Sequence, residues 1–297
     1  MKISNNLNLP EPIVAAIRAN WYGGEGENRF ASVTELIKPT KQLVLAKRHG
    51  SELEQDASQL LWTLMGSAIH KVVEAANIDN AIQEERLGLT FEGERITGGL
   101  DLYKDGVISD FKFTSVWSYL YGSRREEWTT QLNLYAYLLE RHGFPVEGIE
   151  VVIIFRDWNK HKAQSDPLYP KPVERLVLDL WPAEKAEEYL RGRIEDIHKY
   201  SELPDDLIPE CSQQERWERP DKYAVIRLDA SRALRVFDHF EEALNYLNQS
   251  KNSENLQIIT RTELPKRCFD YCPVNRFCHY YRSWGEKPRP QELQNVI

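Results

Sequence analysis

The chain has 297 residues, a length that suits one large domain or one domain with a smaller annex. Hydrophobic residues make up 41% of it, and no run of about 18 apolar residues occurs, so it can pack a core but cannot cross a membrane as a helix. The net charge of −8 argues against a general nucleic-acid coat, yet it allows clustered carboxylates that bind metal.

The first elements in chain order are an arm and two helices. Residues 1–31 are rich in Asn, Gly and Pro, which predicts an irregular N-terminal arm. The segment Ser32-Val-Thr-Glu35 matches a capping box that opens a short helix. Apolar residues recur at helical spacing over 57–77 and predict a buried helix. On that helix His70 and Glu74 are four residues apart, so they share a face.

Three strands follow, at about 83–91, 95–103 and 107–113. Asp105-Gly106 is typical of a two-residue hairpin turn between the last two strands. This register places Asp101 opposite Asp110, on the side of the sheet that also carries Lys112. Two opposed carboxylates repel each other unless a cation lies between them. Two acids and a lysine directed at one spot therefore indicate a divalent-metal site for phosphate chemistry.

The following elements complete an α/β pattern with a mixed sheet. Residues 126–142 predict an amphipathic helix that carries Gln131 and Tyr135 one turn apart. Two strands, at 151–155 and 173–180, and a charged helix to about residue 200 come next. The loop between Lys112 and the helix at 126–142 combines aromatic and basic side chains. Such side chains suit stacking on the bases of single strands and contact with phosphates. The candidates for DNA contact are Trp117, Tyr121, Arg124 and Arg125.

All four cysteines fall in the last third of the chain, at Cys211, Cys268, Cys272 and Cys278. Because a reducing compartment disfavours disulfides, their crowding indicates metal or cluster ligation. Thiolates favour iron–sulfur or zinc, and the spacing does not separate these two from unmetallated buried thiols. Residues 223–247 predict a strand–helix insert between the thiols.

Four short motifs occur in a fixed order: Gly66-x-x-x-His70, Gly98-x-x-Asp101, Asp110-x-Lys112 and Gln131-x-x-x-Tyr135. Together, over residues 32–156, they resemble the PD-(D/E)XK nuclease superfamily. The RecB-type branch is the most similar part, with its phage and recombination exonucleases and its CRISPR-associated four-cysteine nucleases. The resemblance implies a restriction-endonuclease-like α/β core, with a central mixed sheet flanked by helices, to which a C-terminal cysteine-bearing annex is added.

The resemblance also implies a metal site for one or two Mg²⁺ or Mn²⁺ ions. Carried over by position, Asp101 and Asp110 would be the metal-bridging acids and His70 a further ligand. The carbonyl of Phe111 would complete the coordination. Glu74 is an additional candidate ligand, which rests only on its helical spacing from His70.

Three further roles follow from the resemblance. Lys112 would position or deprotonate the attacking water, while Gln131 and Tyr135 would orient the substrate backbone or the lysine. Some RecB-type nucleases use cysteines to hold a [4Fe-4S] cluster, so iron–sulfur is expected here, with zinc as the alternative. Two features depart from those relatives. Cys211 follows the nuclease motifs instead of preceding them, and the terminal triplet begins with a three-residue spacer.

The sequence therefore favours a metal-dependent DNA nuclease, an exonuclease in phage or bacterial DNA replication, recombination or defence. An endonuclease on the same core ranks lower, since no separate specificity domain is visible. The non-enzyme alternative is a cluster-stabilised DNA-end-binding adaptor with a vestigial site. The expected partners are DNA and a helicase or recombination protein, with no membrane. The start lacks an apolar signal core, so a cytoplasmic location is expected.

We divide the chain into four parts on composition and on the Pro204–Pro209 segment, which resembles a linker. The parts are an irregular arm at 1–31, a nuclease core at 32–203, an annex at 204–285 and a tail at 286–297.

Overall fold

A computed structural model describes residues 2–20, 29–122 and 124–286 of the chain. Two compact units share the chain, and the boundary between them falls between Glu202 and Leu203. Within the described residues no helix is long and apolar enough to cross a membrane. The tail expected at 286–297 lies outside the described residues from position 287 onward.

The first unit contains eleven-residue strands at its centre and helices around them. Its helices are α1 (Glu11–Asn20), α2 (Val33–Leu36), α3 (Thr40–Arg48), α4 (Leu61–Glu74), α5 (Val116–Leu120), α6 (Arg125–Arg141), α7 (Lys160–Ser165) and α8 (Ala183–Ser201). Its strands are β1 (Lys2–Ser4), β2 (Ala31–Ser32), β3 (Glu54–Asp56), β4 (Ala81–Phe91), β5 (Glu94–Lys104), β6 (Val107–Thr114), β7 (Gly148–Phe155) and β8 (Val173–Leu178). Short 3-10 turns occupy Gly50–Glu52 and Ala57–Leu60.

Two tight turns set the register of the central strands. Glu92 and Gly93 have φ of 48° and 84°, and Asp105 and Gly106 have φ of 49° and 78°. Positive φ at both central residues defines the turn whose twist matches a hairpin, and Gly adopts it without strain. The first turn pairs Phe91 with Glu94 and joins β4 to β5. The second pairs Lys104 with Val107 and joins β5 to β6.

The main sheet is mixed, with the order β2-β5-β6-β7-β8 and with β4 also paired to β5. Strands β6 and β7 are parallel because helix α6 crosses between them, whereas β7 and β8 are antiparallel. One edge of β5 is shared: β2 pairs at Ile96 and Thr97, and β6 pairs from Leu102 to Lys104. The two partner strands thus leave the middle of that edge, residues 98–101, without a ladder.

Helix α6 covers this sheet and is buried along most of its length. The predicted stripe of Trp128, Leu132, Tyr135 and Leu139 is fully buried. The helix lies directly against β5 at Gly98, where an added Cβ would be 2.8 Å from Leu138 Cδ1. The mixed α/β sheet flanked by helices, as expected from the sequence, is therefore the architecture of this unit.

The helix predicted over 57–77 is shorter than expected and is not buried. It is α4, Leu61–Glu74, and none of its residues is fully buried. Leu61 and Leu64 pack on a small cluster that includes Val14 and Ile17 of α1. On its other sides Trp62 and Val72 are 58% and 73% exposed. Helical spacing identifies an apolar face, but it does not identify what covers that face.

The arm expected at 1–31 is not irregular throughout. Strand β1 pairs in parallel with β3, and α1 occupies Glu11–Asn20. The Asn and Gly residues that suggested an arm are concentrated before and after α1. Within the helix, Pro12 is in the first turn, where a missing N–H costs nothing, and Val14 and Ile17 bury one face. Positions 21–28 of the arm lie outside the described residues.

The second unit contains a small antiparallel sheet of order β10-β9-β11. Its strands are β9 (Lys222–Arg227), β10 (Ala233–Phe237) and β11 (Leu256–Arg261). Its helices are α9 (Gln213–Arg216), α10 (Phe240–Gln249) and α11 (His279–Glu286), with 3-10 turns at Asp205–Leu207, Ser253–Asn255 and Asn275–Phe277 and a π-helical turn at Arg267–Tyr271. The strand–helix insert expected at 223–247 contains β9 and α10, but the prediction missed β10 and β11.

A candidate metal centre

Three side chains from three different elements converge around Asp101 of β5. His70 Nδ1 of α4 lies 3.4 Å from Glu84 Oε1 of β4 and 3.4 Å from Asp101 Oδ1 of β5. One ligand atom from each residue lies within 4.8 Å of the other two. We call His70, Glu84 and Asp101 the metal triad. Two carboxylate oxygens and an imidazole nitrogen form a donor set that suits a divalent metal ion.

Glu84 was not identified from the sequence, although the signal was present. The turn at Glu92-Gly93 pairs Gln83 with Leu102 and Glu85 with Leu100, so Glu84 lies opposite Asp101. The same argument that paired Asp101 with Asp110 across the next turn would have found it. Glu84 also has a φ of 50°, a left-handed conformation that is unusual for a non-glycine residue within a strand.

The charges in the metal triad act strongly on each other. A hydrogen bond to Asp101 raises the pKa of His70, against the opposing effect of burial. Burial, and then the negative charge of Asp101, raise the pKa of Glu84. A glutamate whose ionisation is disfavoured by burial and by a neighbouring carboxylate is in an arrangement that a divalent cation would stabilise.

A second group of side chains lies beside the triad, around Asp110. Lys112 Nζ lies 2.6 Å from Asp110 Oδ2, and Asp110 is only 2% exposed. Gln131 Nε2 donates to Asp110 Oδ1 at 3.4 Å and to Tyr135 Oη at 3.0 Å. We call these four residues the Asp110 cluster. Burial raises the pKa of Asp110 to about 6, although Lys112 lowers it, and burial also raises the pKa of Tyr135.

Asp101 and Asp110 do not form the simple opposed pair that the hairpin register predicts. The backbone ladder between β5 and β6 ends at Leu102 and Ser109. Beyond it, Asp101 Oδ2 accepts the Phe111 N–H at 2.8 Å, so a side chain replaces the next backbone partner. Asp110 contacts Lys112 and Gln131 and is not in the metal triad, so its role as a second metal-bridging acid stays a prediction. The role of the Phe111 carbonyl as a ligand stays a prediction.

Glu74, the additional ligand candidate, lies outside the metal triad. Its carboxylate pairs with Lys71 Nζ at 3.0 Å, within the last turn of α4. Its role as a ligand, which rests only on its helical spacing from His70, stays a prediction.

The structure divides the four DNA-contact candidates into two kinds. The rings of Trp117 and Tyr121 are stacked, with centroids 5.3 Å apart and planes inclined by 8°. Both rings are largely exposed. Arg124 is paired with Glu127 at 3.0 Å, which offsets its charge, whereas Arg125 is exposed at the start of α6. Two stacked aromatic rings and one exposed arginine remain as the surface for such a contact.

The four cysteines of the second unit are close enough to act on one another. Burial raises the pKa of Cys211 and Cys268 to about 12 and that of Cys272 to about 11, and the neighbouring thiols raise each of them further. None of the four forms a disulfide. Within the described residues, no three of these sulfurs lie within 4.8 Å of one another. The thiols therefore approach a common region without forming a compact ligand group.

No family model matches the chain, and no curated protein matches it. Among solved structures, the crystal structure of SSO0001 covers 62% of this chain and 85% of its own, with a TM-score of 0.42 and 15% identity. A phage related exonuclease from Haemophilus somnus 129PT covers 65% of this chain and 82% of its own, with a TM-score of 0.29 and 12% identity. These similarities are too weak to carry an argument about function, which rests on the geometry of the site.

Proposed function

We propose that this protein is a metal-dependent nuclease that hydrolyses phosphodiester bonds in DNA. The observation that carries the proposal is the metal triad, placed at the edge of β5 where β6 separates and beside the buried ion pair of Asp110 and Lys112. Clustered acids together with one lysine are the groups that phosphodiester hydrolysis requires, because the substrate is anionic and its attacking water must be activated.

His70, Glu84 and Asp101 would hold Mg²⁺ or Mn²⁺ in this proposal. When bound, such an ion neutralises the phosphate and lowers the pKa of a bound water. Asp101 also links the triad to β6, because its other oxygen accepts a hydrogen bond from the Phe111 N–H. This hydrogen bond thus connects the triad to the residue next to Lys112.

The Asp110 cluster would place the attacking water. Lys112 carries three N–H donors and lies on the part of β6 beyond its ladder with β5, where its ammonium group can orient water toward a phosphate. Asp110 fixes this ammonium group, and Gln131 fixes Asp110 through its amide. Tyr135, bonded to the same amide, holds the orientation of Gln131. As buried groups on α6, Gln131 and Tyr135 act here as positioning residues for Asp110.

Exonuclease action is the favoured form of this activity. Purified protein with Mg²⁺ or Mn²⁺ should degrade end-labelled linear DNA and leave covalently closed circles intact, and EDTA should abolish the cleavage. Efficient cutting of circles would favour the endonuclease alternative. Binding of DNA ends without any cleavage, with either metal, would favour the adaptor with a vestigial site.

We also propose that Cys211, Cys268, Cys272 and Cys278 hold a structural [4Fe-4S] cluster in the second unit. Four mutually interacting thiols from two distant segments support a shared inorganic centre. A zinc ion with Zn–S bonds of about 2.3 Å requires sulfurs about 3.8 Å apart. Among the described residues no three of these sulfurs lie within 4.8 Å of one another, so they do not form the compact group that a zinc site requires.

Zinc and unmetallated thiols are the alternatives to this cluster. Protein purified without oxygen should be brown and contain about four irons per chain. A colourless preparation with stoichiometric zinc would overturn the cluster in favour of zinc, and a metal-free preparation would leave only buried thiols. The pathway, the cytoplasmic location and a helicase or recombination partner stay predictions from the sequence and its resemblance.

A further inference from the structure

An exposed aromatic pair lies a short distance along the chain from Lys112. Trp117 and Tyr121 are 56% and 73% exposed, and their rings are nearly parallel. Trp117 belongs to α5, which begins at Val116 directly after β6, and Tyr121 directly follows this helix. Val116 is the fourth residue after Lys112, so their Cα atoms are at most about 14 Å apart. A polymer bound at the proposed site can therefore reach this pair within a few nucleotides.

A third exposed aromatic residue lies on the helix that carries His70. Trp62, Gly66 and His70 are spaced at four-residue intervals on α4, so they follow one stripe of the helix over about 12 Å. Trp62 is 58% exposed. A Cβ added to Gly66 would meet no atom within 4 Å. Between the Trp62 ring and the metal triad, this glycine leaves open space along the helix surface.

Arg156 connects the two aromatic sites. Its guanidinium lies 4.3 Å from the centroid of the Trp62 ring. Its backbone N–H donates to the Thr114 carbonyl at 2.9 Å, at the end of β6. The next residue, Asp157, accepts the N–H of Val116 at 2.8 Å and so holds the start of α5. Within the part of the chain that the structure describes, no carboxylate pairs with the guanidinium of Arg156.

We propose that Trp62, Trp117 and Tyr121 form a stacking platform for the bases of single-stranded DNA, with Arg156 contacting the backbone phosphates. This inference rests on the proposed nuclease function and names its substrate. Bases present their faces to aromatic rings only where they are unpaired, and a duplex keeps those faces stacked inside. Large exposed rings next to an unpaired guanidinium offer such bases both apolar area and positive charge.

The test measures binding in EDTA, so that it does not depend on cleavage. Fluorescence anisotropy compares a labelled oligothymidylate of about 20 nucleotides with an abasic strand of equal length and with a blunt duplex. The wild-type protein should prefer the oligothymidylate. Trp62→Ala, Trp117→Ala and Tyr121→Ala should each weaken its binding about tenfold and leave abasic binding unchanged. Trp117→Phe, which keeps a ring, should restore most of the affinity.

The matched control is Trp181→Ala. Trp181 lies 4.3 Å from Lys185 Nζ, so it is an aromatic residue with a cation partner in the same unit, beyond β8 and outside the platform. Its replacement should leave all three affinities unchanged. Arg156→Ala should weaken the oligothymidylate and the abasic strand equally, because the phosphate contact does not involve a base.

Gly66→Leu tests the open stripe directly. Leucine at this helix position should keep or raise the thermal stability, since glycine is the poorer helix former. It should nevertheless weaken oligothymidylate binding, because its side chain fills the space between Trp62 and His70. Unchanged binding by Gly66→Leu would remove the stripe from the platform.

Equal affinity of the wild-type protein for oligothymidylate and abasic strands would overturn the platform, as would tighter binding of the duplex. Unweakened binding by the combined Trp117→Ala and Tyr121→Ala variant would overturn it as well. In each case cleavage of DNA would still support the nuclease. Conversely, if these variants lose binding but the protein never cleaves DNA, the result would support the platform and contradict the proposed nuclease activity.

Discussion

Glu84 lies opposite Asp101 across the β4–β5 ladder, and the two carboxylates approach the same ring nitrogen of His70. Opposed like charges destabilise a pair of strands by up to about 1 kcal/mol. A bound divalent cation would reverse that effect. Metal binding and the stability of this hairpin should therefore depend on each other.

Metal should raise the melting temperature of the protein, and Glu84→Gln should reduce that increase. With EDTA the Glu84→Gln variant should melt at or slightly above the wild-type temperature, because one of two repelling charges is gone. With Mg²⁺ or Mn²⁺ it should gain less, because a ligand is lost. Differential scanning fluorimetry across a metal titration measures both effects. Glu85→Gln is the control and should respond as the wild type does, since Glu85 pairs with Leu100 and is outside the triad.

Asp110→Asn and Lys112→Ala should each lower the cleavage rate by at least about 100-fold while the protein stays folded. Asparagine preserves the shape of Asp110 but cannot hold the ammonium group of Lys112 by charge. The measurement is the single-turnover rate on linear DNA, with circular dichroism as the check on folding. Lys104→Ala, a lysine at the end of β5, should cleave normally. A variant of either site residue that cuts at the wild-type rate would show that the assignment is wrong.

Gly98→Ala should destabilise the protein by about 1–3 kcal/mol, because its Cβ would lie 2.8 Å from Leu138 Cδ1 and 2.9 Å from the Tyr135 ring. Any shift of Tyr135 would also reach Asp110 through Gln131, so cleavage should fall together with stability. Gly99→Ala is the matched control, since an added Cβ there meets nothing within 4 Å. Urea unfolding of the two variants measures the contrast. An equal loss of stability in both variants would mean that α6 packs on β5 more loosely than these distances require.

The contribution of Asp56 to stability should disappear in acid. Hydrogen bonds from the Ser58 hydroxyl, the Asn6 N–H and the Ser58 N–H lower the pKa of Asp56. A carboxyl group with a lowered pKa stabilises the fold above its unfolded pKa of about 3.9, and this effect is lost as the pH falls through the folded value. Asp56→Asn should therefore unfold at lower urea than the wild type at pH 7, and the difference should shrink below about pH 4. A difference that is constant with pH would contradict it.

Cys272→Ser should lower the thermal stability of the second unit before it affects cleavage. If the four thiols hold one centre, the binding free energy of that centre is folding free energy for residues around it. Limited proteolysis of anaerobically purified protein should show earlier digestion of residues beyond 203 in the variant. Identical digestion, together with an unchanged absorption spectrum, would show that the thiols hold no centre.

The parts of the site that the sequence predicts are those fixed by tight turns and helix spacing. The turn at Asp105-Gly106 sets the β5–β6 register, and from it come Asp101, Asp110 and Lys112. Glu84 was equally accessible through Glu92-Gly93, but its strand showed no matching motif. Turn type and strand period are local properties, so short segments encode them reliably.

What the sequence does not predict depends on which groups meet across the fold. The bond from Phe111 N–H to Asp101 arises because β6 leaves β5 at that point, and no spacing encodes the separation of two strands. The exposure of α4 has the same origin, because the spacing of its apolar residues does not show which of them another element of the fold covers. The Trp62–Arg156 contact joins α4 to the end of β7, two segments that are almost a hundred residues apart.

The left-handed backbone of Glu84 gives the site an evolutionary signature. Glycine or asparagine at this position would relieve the strain of a φ of 50°, a gain of about 1 kcal/mol. A descendant that had lost cleavage, and kept the fold only to bind DNA ends, would gain stability by that replacement and lose nothing. Selection would retain glutamate here only while its carboxylate is used. Among divergent descendants of this chain, glutamate at position 84 should therefore be lost together with Asp110 and Lys112. The proteins that lack it should be the more stable and the inactive ones.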